Sequence, residues 1–386
     1  MPDTNSVSPL PNIPDNKKEN KSTWIIVILL LLGVFSVGYV YVTRNQNQAA
    51  LPLTTHRTLL SISKNYKDAD SLNSQREYGK ALEQFNAALN DANTLTQEVL
   101  IRFRIAEATS YAGDSLKAVE LFKDIVDNPK YESDLQEVKQ AKAYALILLS
   151  GIWYQTHDKS VIEKIFSGKP YEDFIKKEDD KATGIASRRL YEYASSLSSP
   201  SNLLPEAGIA VWYGVEMYHL NQKKILNEEE KKQLQEYKDI LKLKLTHIKN
   251  NYLPPQNYYE NVTLPALLKW KAVAMGSLWL NGDASMGNPE QTFLQALSLP
   301  QAPWSISQIK FSYAIFLAAA YGEERKDDIK NLLSDLYIPS SGTEFNWHMW
   351  LLNEKAYPTR SEDVLPLLAS VDPKFKALLI SLGWKL

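Results

Sequence analysis

The sequence predicts an all-α protein with one N-terminal transmembrane helix. Twenty consecutive residues, Thr23 to Val42, carry no charged side chain. Beyond them, apolar residues recur at i, i+3, i+4 and i+7 as far as the C-terminus, which is the spacing of amphipathic helices. No stretch shows the sustained alternation of apolar and polar residues that is typical of a strand. We therefore expect one membrane-spanning helix followed by a body made of helices alone.

The apolar run is long enough to remain in a membrane. At about 1.5 Å per residue, a helix over Thr23–Val42 measures about 30 Å, which matches the hydrocarbon core of a bilayer. A cleaved signal peptide has a shorter apolar region of about 7–15 residues, followed by a small-x-small cleavage site. The residues after Val42 read TRNQNQAALP and contain no convincing site of that kind. We interpret the run as a retained anchor, with a cleaved signal peptide as the alternative.

Basic residues near the span predict its orientation. Three lysines precede it, at Lys17, Lys18 and Lys21. Only Arg44 follows closely. Because basic residues are retained on the cytoplasmic side, we expect a cytoplasmic N-terminus and an extracytoplasmic C-terminal body. Residues 1–22, rich in Pro, Asn and Ser, are expected to form a disordered cytoplasmic tail, and residues 43–57 a polar linker.

Two helix pairs of the same design are predicted between Ile62 and Asp127. In each pair, small residues stand where the two helices approach closely, and an aromatic residue follows four positions later on the same face. These positions are Ala69, Ala81 and Phe85 in the first pair, and Ala106, Ala118 and Phe122 in the second. Ala81 and Ala118 are 37 residues apart, and so are Phe85 and Phe122.

This pattern resembles the tetratricopeptide repeat (TPR) family. The small residues on both helices and the aromatic on the second helix match the family's pattern, and Asn128-Pro129 closes the second pair much as the family does. The chain lacks the family's Trp and Leu-Gly on the first helix, and its period exceeds the usual value of about 34 residues. The resemblance implies an α-solenoid of TPR-like helix pairs.

Helices are expected to continue to the C-terminus in less regular form. They comprise a long and a short helix within 131–168, then 182–197, 205–220, a helix capped by Asn227, 267–280, 290–297, 309–321 and 327–336. The Pro-rich segment Tyr252–Asn257 predicts an internal boundary. It divides a TPR-like repeat region, residues 58–252, from a second helical-repeat segment, residues 257–386. The last fifty residues, which contain three tryptophans, are expected to form a C-terminal cap.

Composition and motifs exclude several functions. The 43 Lys plus Arg are balanced by 45 Asp plus Glu, so no basic excess points to nucleic acid. The absence of Cys removes disulfides, thiolate metal sites and a Cys nucleophile. None of the five His stands in a metal-binding spacing, and no G-x-S-x-G, Walker or dinucleotide motif is present. We therefore expect no catalytic residue, no metal, no cofactor and no enzymatic activity.

Two alternatives stay open at this point. Hydrolases and lyases with a helical toroid fold take their acids from distant helices, so spacing alone does not exclude one that acts on an envelope polymer. Such an enzyme predicts a deep pocket with two convergent carboxylates or a His–Tyr pair. An anchored spacer for oligomerisation instead predicts a long self-complementary apolar face. The sequence leaves the oligomeric state and the identity of any partner open.

The TPR resemblance also implies a binding surface. In such arrays the first helix of each pair lines a concave groove for a protein or peptide partner. The corresponding residues here are Tyr66, Asp70, Asn73, Phe103, Glu107 and Tyr111. The alternative for Tyr66 and Phe103 is that they fill helix–helix seams. The expected function is a membrane-anchored scaffold at the extracytoplasmic membrane face, accessory to envelope assembly, translocation or folding.

The predicted orientation makes a direct prediction for protease treatment of native membranes. Protease added to the extracytoplasmic side should digest the body after Val42 and leave the N-terminal tail protected, because the anchor retains its basic flank in the cytoplasm. Immunoblotting with tags at the two ends of the chain measures both outcomes. A body that stays intact until the membrane is permeabilised would contradict this topology.

Overall fold

Regular secondary structure in this protein is helical throughout the residues that the computed structural model describes. These are residues 54–334, apart from 157, 176–181, 198–201, 222, 224 and 256–257, together with 336, 369–370, 373, 376–377 and 380. Every helix or strand assigned within them is a helix, so the predicted all-α class is confirmed for this part of the chain.

Fourteen α-helices can be labelled in chain order in the described part of the chain. The first seven are α1 Thr54–Ile62, α2 Lys64–Ser74, α3 Tyr78–Ala88, α4 Leu95–Tyr111, α5 Ser115–Asp127, α6 Gln136–Gln155 and α7 Lys159–Ile165. The others are α8 Ala182–Leu197, α9 Leu204–Asn221, α10 Glu228–Asn251, α11 Tyr258–Leu280, α12 Pro289–Leu297, α13 Pro303–Tyr321 and α14 Lys326–Leu333. Short 3₁₀ turns lie between these helices at Leu89–Asp91, Pro129–Tyr131, Tyr171–Phe174 and Gly322–Arg325.

The two predicted helix pairs are α2 with α3 and α4 with α5. Local chemistry explains where these helices begin, because side-chain oxygens of Ser63, Thr94 and Asp114 accept hydrogen bonds from backbone N–H groups in the first turns of α2, α4 and α5. Gly113 turns the chain between α4 and α5 with a φ of 93°. That left-handed conformation carries little steric cost for glycine.

The seam positions predicted within these pairs are all buried. Ala69, Ala81, Phe85, Ala106, Ala118 and Phe122 have no exposed surface. The ring of Phe85 packs edge-on against Tyr66 with centroids 5.7 Å apart, and Phe122 packs against Phe103 at 5.8 Å. Small residues therefore bring the paired helices together and aromatic rings fill the space beside them, as the sequence pattern indicates.

Two later helices begin earlier than predicted. The helix expected from residue 267 starts at Tyr258 and includes Pro265, which removes one backbone donor without ending α11. The helix expected from residue 309 starts at Pro303, where proline's fixed φ suits the first turn. At α10, the predicted Asn227 cap is confirmed and forms a reciprocal capping box with Glu230. These extensions bring Tyr258 and Pro303 into ordered structure near the first helix pairs.

Several predictions fall on residues outside this description. The cytoplasmic tail, the predicted span Thr23–Val42 and most of the C-terminal cap lie outside the described residues. Residues 54–57 of the predicted linker belong to α1. Within the described part of the chain, no helix is both long and apolar enough to cross a membrane. The described residues from Thr54 onward belong to one compact unit.

Helices α9 and α11 approach closely at Gly214. A Cβ atom built on Gly214 would lie 2.6 Å from Oγ and 2.8 Å from Cβ of Ser277 on α11. Gly151 on α6 is different, because a Cβ atom there meets no other atom within 4 Å. There is therefore no room for a side chain at Gly214, whereas there is room for one at Gly151.

Substitution of these glycines by alanine should change stability in opposite directions. Gly214→Ala should lower the free energy of unfolding by about 1–3 kcal/mol, because the added methyl overpacks the contact with Ser277. Gly151→Ala should raise it by about 0.5–1 kcal/mol, because alanine reduces the freedom of the unfolded chain and fits the helix. Urea unfolding followed by circular dichroism measures both changes. Equal effects of the two substitutions would contradict the close approach of α9 and α11.

Candidate functional site

A buried arginine joins three parts of the fold. The Arg104 guanidinium donates from Nη2 to Oδ1 of Asp70 at 2.8 Å and from Nη1 to Oε2 of Glu107 at 2.7 Å. Nη1 also donates to the hydroxyl of Tyr258. Asp70 belongs to α2, Arg104 and Glu107 to α4, and Tyr258 to α11. One side chain thus connects the first helix pair, the second pair and the first turn of α11.

Little of the Arg104 side chain is exposed to water. Arg104 is 6% exposed and Glu107 is 7% exposed. The guanidinium carbon lies 5.3 Å from the ring centroid of Phe85 and 5.4 Å from that of Tyr258, within the range of a cation–π contact. A buried charge is costly without partners. The carboxyls of Asp70 and Glu107 offset the cost of burying the Arg104 guanidinium.

Burial also changes the protonation behaviour of Glu107. Removal from water raises the pKa of this carboxyl above its ordinary value, while the Arg104 guanidinium opposes that rise and Asp70 adds to it. Next to this group, burial lowers the pKa of His56, whose Nδ1 lies 2.8 Å from the hydroxyl of Tyr66. The group therefore consists of two carboxyls around one guanidinium, beside an imidazole whose pKa burial lowers.

A half-open cleft of about 470 Å³ lies beside this arginine. We call it the Arg104 cleft. Its lining residues are Asn73, Ser74, Arg76, Tyr78, Arg104, Glu107, Tyr111, Tyr258, Val262, Gln301, Ala302 and Pro303. The ends of α2 and α4 form one side, and the start of α11 with the segment leading into α13 forms the other. Its volume lies within the range of about 300–1,000 Å³ that is typical of ligand sites.

The structure divides the six groove residues proposed from the sequence into three groups. Asn73, Glu107 and Tyr111 line the Arg104 cleft. Asp70 is not a lining residue of the cleft, but it accepts a hydrogen bond from Arg104. Tyr66 and Phe103 have no exposed surface and belong to the core, which favours the seam-filling alternative for these two.

Helices α1 and α11 cover the surface to which Tyr66 and Phe103 point, because the His56 ring of α1 packs edge-on against Tyr66. The ring of Tyr259 packs edge-on against Phe103 with centroids 5.3 Å apart, and the ring of Tyr258 lies 4.9 Å from that of His56. The accessible part of the predicted groove is therefore limited to the cleft at the ends of α2 and α4.

Sequence reasoning did not find Arg104, Tyr258 or the segment 301–303. Arg104 does carry a recognisable signal, because it stands between Phe103 and Ile105 in a helix whose other residues are largely apolar and buried. A charged residue in such a position requires buried partners. Tyr258 and residues 301–303 follow the predicted internal boundary, so only the folded chain brings them to α4.

Neither a metal centre nor a known relative provides a further indication. Within the described residues, no group of three His, Asp or Glu side chains is placed to hold a metal ion. Comparisons with protein-family models, with curated proteins and with solved structures found no significant match. The cleft is therefore the feature of the described residues that points to a function.

The raised pKa of Glu107 predicts a pH dependence of stability. A carboxyl whose pKa is higher in the folded state contributes stability that is complete below its unfolded value of about 4.3 and is lost as the pH rises through the folded value. Glu107→Gln should therefore flatten the decline in unfolding free energy as the pH rises above about 4.3.

Urea unfolding at a series of pH values measures this slope. Glu163→Gln provides the matched control, since Glu163 is exposed on α7. An unchanged slope in Glu107→Gln, equal to that of the control, would contradict the buried environment assigned to Glu107.

Proposed function

We propose that this chain is a membrane-anchored α-helical repeat scaffold that binds a protein or peptide partner at the extracytoplasmic face of a membrane. The observation that carries the proposal is the Arg104 cleft, which three of the six predicted groove residues line: Asn73, Glu107 and Tyr111. The cleft combines aromatic surface with hydrogen-bonding groups, as partner-binding sites commonly do.

The architecture supports a binding role. Paired helices with buried small and aromatic residues, as in α2 to α5, are compatible with an α-solenoid of the TPR-like type. An anchor at Thr23–Val42 would hold the cleft near other membrane components and raise their effective concentration. A site of low affinity can then be occupied, because the partner's effective concentration is high. Accessory work in envelope assembly, translocation or folding suits a scaffold of this design.

A second candidate is a hydrolase or lyase that acts on an envelope polymer. The observation in its favour is Glu107, a carboxyl in the wall of the cleft whose pKa burial raises. Asp70 lies on the other side of the same guanidinium. A raised pKa suits a general acid. Both carboxyls, however, already accept hydrogen bonds from Arg104, which favours a structural role for the pair.

Proximity labelling in the native membrane tests the binding proposal. Ala302 is exposed at the rim of the cleft, so Ala302→Trp should fill the cleft with an indole and leave the core unchanged. The labelling of partners should be at least about tenfold lower with this variant than with the wild-type chain. A tenfold loss corresponds to about 1.4 kcal/mol of binding free energy. Mass spectrometry of the labelled proteins measures the change.

Ala319→Trp is the matched control, because Ala319 is exposed on α13 sixteen residues beyond Pro303 and is not a lining residue of the cleft. Identical labelling by the two tryptophan variants would contradict binding in the Arg104 cleft. Release of reducing ends from an envelope polymer by the full-length chain, abolished by Glu107→Gln, would instead favour the enzyme.

A further inference from the structure

Two residues that line the Arg104 cleft each carry a buried polar atom without a partner. Nε of Arg104 and Oδ1 of Asn73 are buried and make no hydrogen bond to any described residue. Both side chains line the cleft. One of these atoms is a hydrogen-bond donor and the other is an acceptor. Buried polar groups are nearly always paired, so an unpaired donor and an unpaired acceptor just behind the surface of one cleft require an explanation.

The charges around the cleft do not favour an ionic ligand. Arg104 already pairs with Asp70 and Glu107 through its two terminal nitrogens. Arg76 also lines the cleft, so two guanidinium groups lie near the carboxyl of Glu107 in the lining and the carboxyl of Asp70 next to it. A site in which guanidinium and carboxyl groups are equal in number attracts neither anions nor cations over a distance. Hydrogen bonds and contacts with apolar surface must therefore provide the recognition.

The remaining surface fits aliphatic groups. Tyr78 and Tyr111 stand together on one side, with ring centroids 5.5 Å apart and planes tilted by 41°. Val262, Ala302 and Pro303 provide apolar surface on the other side. A sugar would bring several hydroxyls that need partners, whereas only one donor and one acceptor are unpaired among the lining residues. A peptide brings one donor and one acceptor per amide, together with apolar side chains.

We propose that the Arg104 cleft binds a short uncharged stretch of peptide main chain, with a peptide C=O accepting from Nε of Arg104 and a peptide N–H donating to Oδ1 of Asn73. This inference rests on the proposed function and names the class of partner. The Arg104 and Asn73 side chains turn slightly toward the ligand, and the two new hydrogen bonds satisfy atoms that the empty cleft leaves unpaired. The tyrosine pair contacts an aliphatic or proline side chain.

The experiment selects ligands from a displayed library of random eight-residue peptides. The target is the full-length chain in lipid nanodiscs, with Ala302→Trp as the blocked cleft and Ala319→Trp as its control. We expect peptides that are enriched on the wild type and on Ala319→Trp but not on Ala302→Trp. Their shared residues should be uncharged. Fluorescence anisotropy of labelled synthetic copies then measures affinity.

Two measurements on those synthetic peptides test the chemistry. Affinity should change by less than about twofold between about 0.05 M and about 0.5 M NaCl, because no ion pair forms with the ligand. Asn73→Ala should weaken binding about tenfold, the loss expected for a hydrogen bond that only the ligand completes. Asn86→Ala, at an exposed asparagine of α3 outside the lining residues, should leave affinity unchanged.

The outcomes separate this inference from the proposed function. Peptides that depend on the cleft but share charged residues and bind less tightly in salt would overturn the uncharged main-chain ligand, while partner binding in the cleft would stand. The main-chain ligand would also be overturned if proximity labelling depended on the cleft but no peptide did. Competition by glycans for the cleft would have the same meaning. If neither the library nor proximity labelling depends on the cleft, both proposals fail.

Discussion

The arrangement of the described helices depends most directly on the hydrogen bonds that the Arg104 guanidinium donates. It has to be paired because it is buried, and its partners come from α2, α4 and α11. An isolated buried charge is strongly unfavourable, whereas a charge between two carboxylates and a hydroxyl is tolerated. The first two helix pairs and α11 therefore have to meet in one arrangement, the one that brings all three partners to a single side chain.

Packing around this centre follows a simpler rule. Alanines at Ala81 and Ala118 allow the paired helices to approach, and Phe85 and Phe122 fill the adjacent space without any exposed surface. Apolar packing of this kind provides most of the stabilisation but is tolerant of small shifts. The hydrogen bonds of Arg104 are directional. Packing brings the helices together, and the polar centre fixes their relative position.

This division explains which features the sequence could predict. Helix periodicity, capping residues such as Asn227 and the repeated alanine and phenylalanine positions are local signals, and they predicted most helices and the buried seams. The cleft is not local, because Tyr258 lies 154 residues from its partner Arg104. The start of α11 was also missed, since Pro265 is typical of a helix boundary but here lies within the helix. Without that first turn, α11 does not reach α4.

The same reasoning explains why three predicted groove residues line a cleft and the others do not. Tyr66 and Phe103 lie where α1 and α11 cover the helix pairs, so aromatic packing buries them. Asn73 and Tyr111 lie at the C-terminal ends of α2 and α4, beyond that cover. Glu107 belongs to both regions, because it pairs with Arg104 and also borders the cleft. Substitution of Arg104 or Glu107 therefore changes stability and binding together. Asn73 and Ala302, which also line the cleft, separate the two effects, because neither of them pairs with the buried guanidinium.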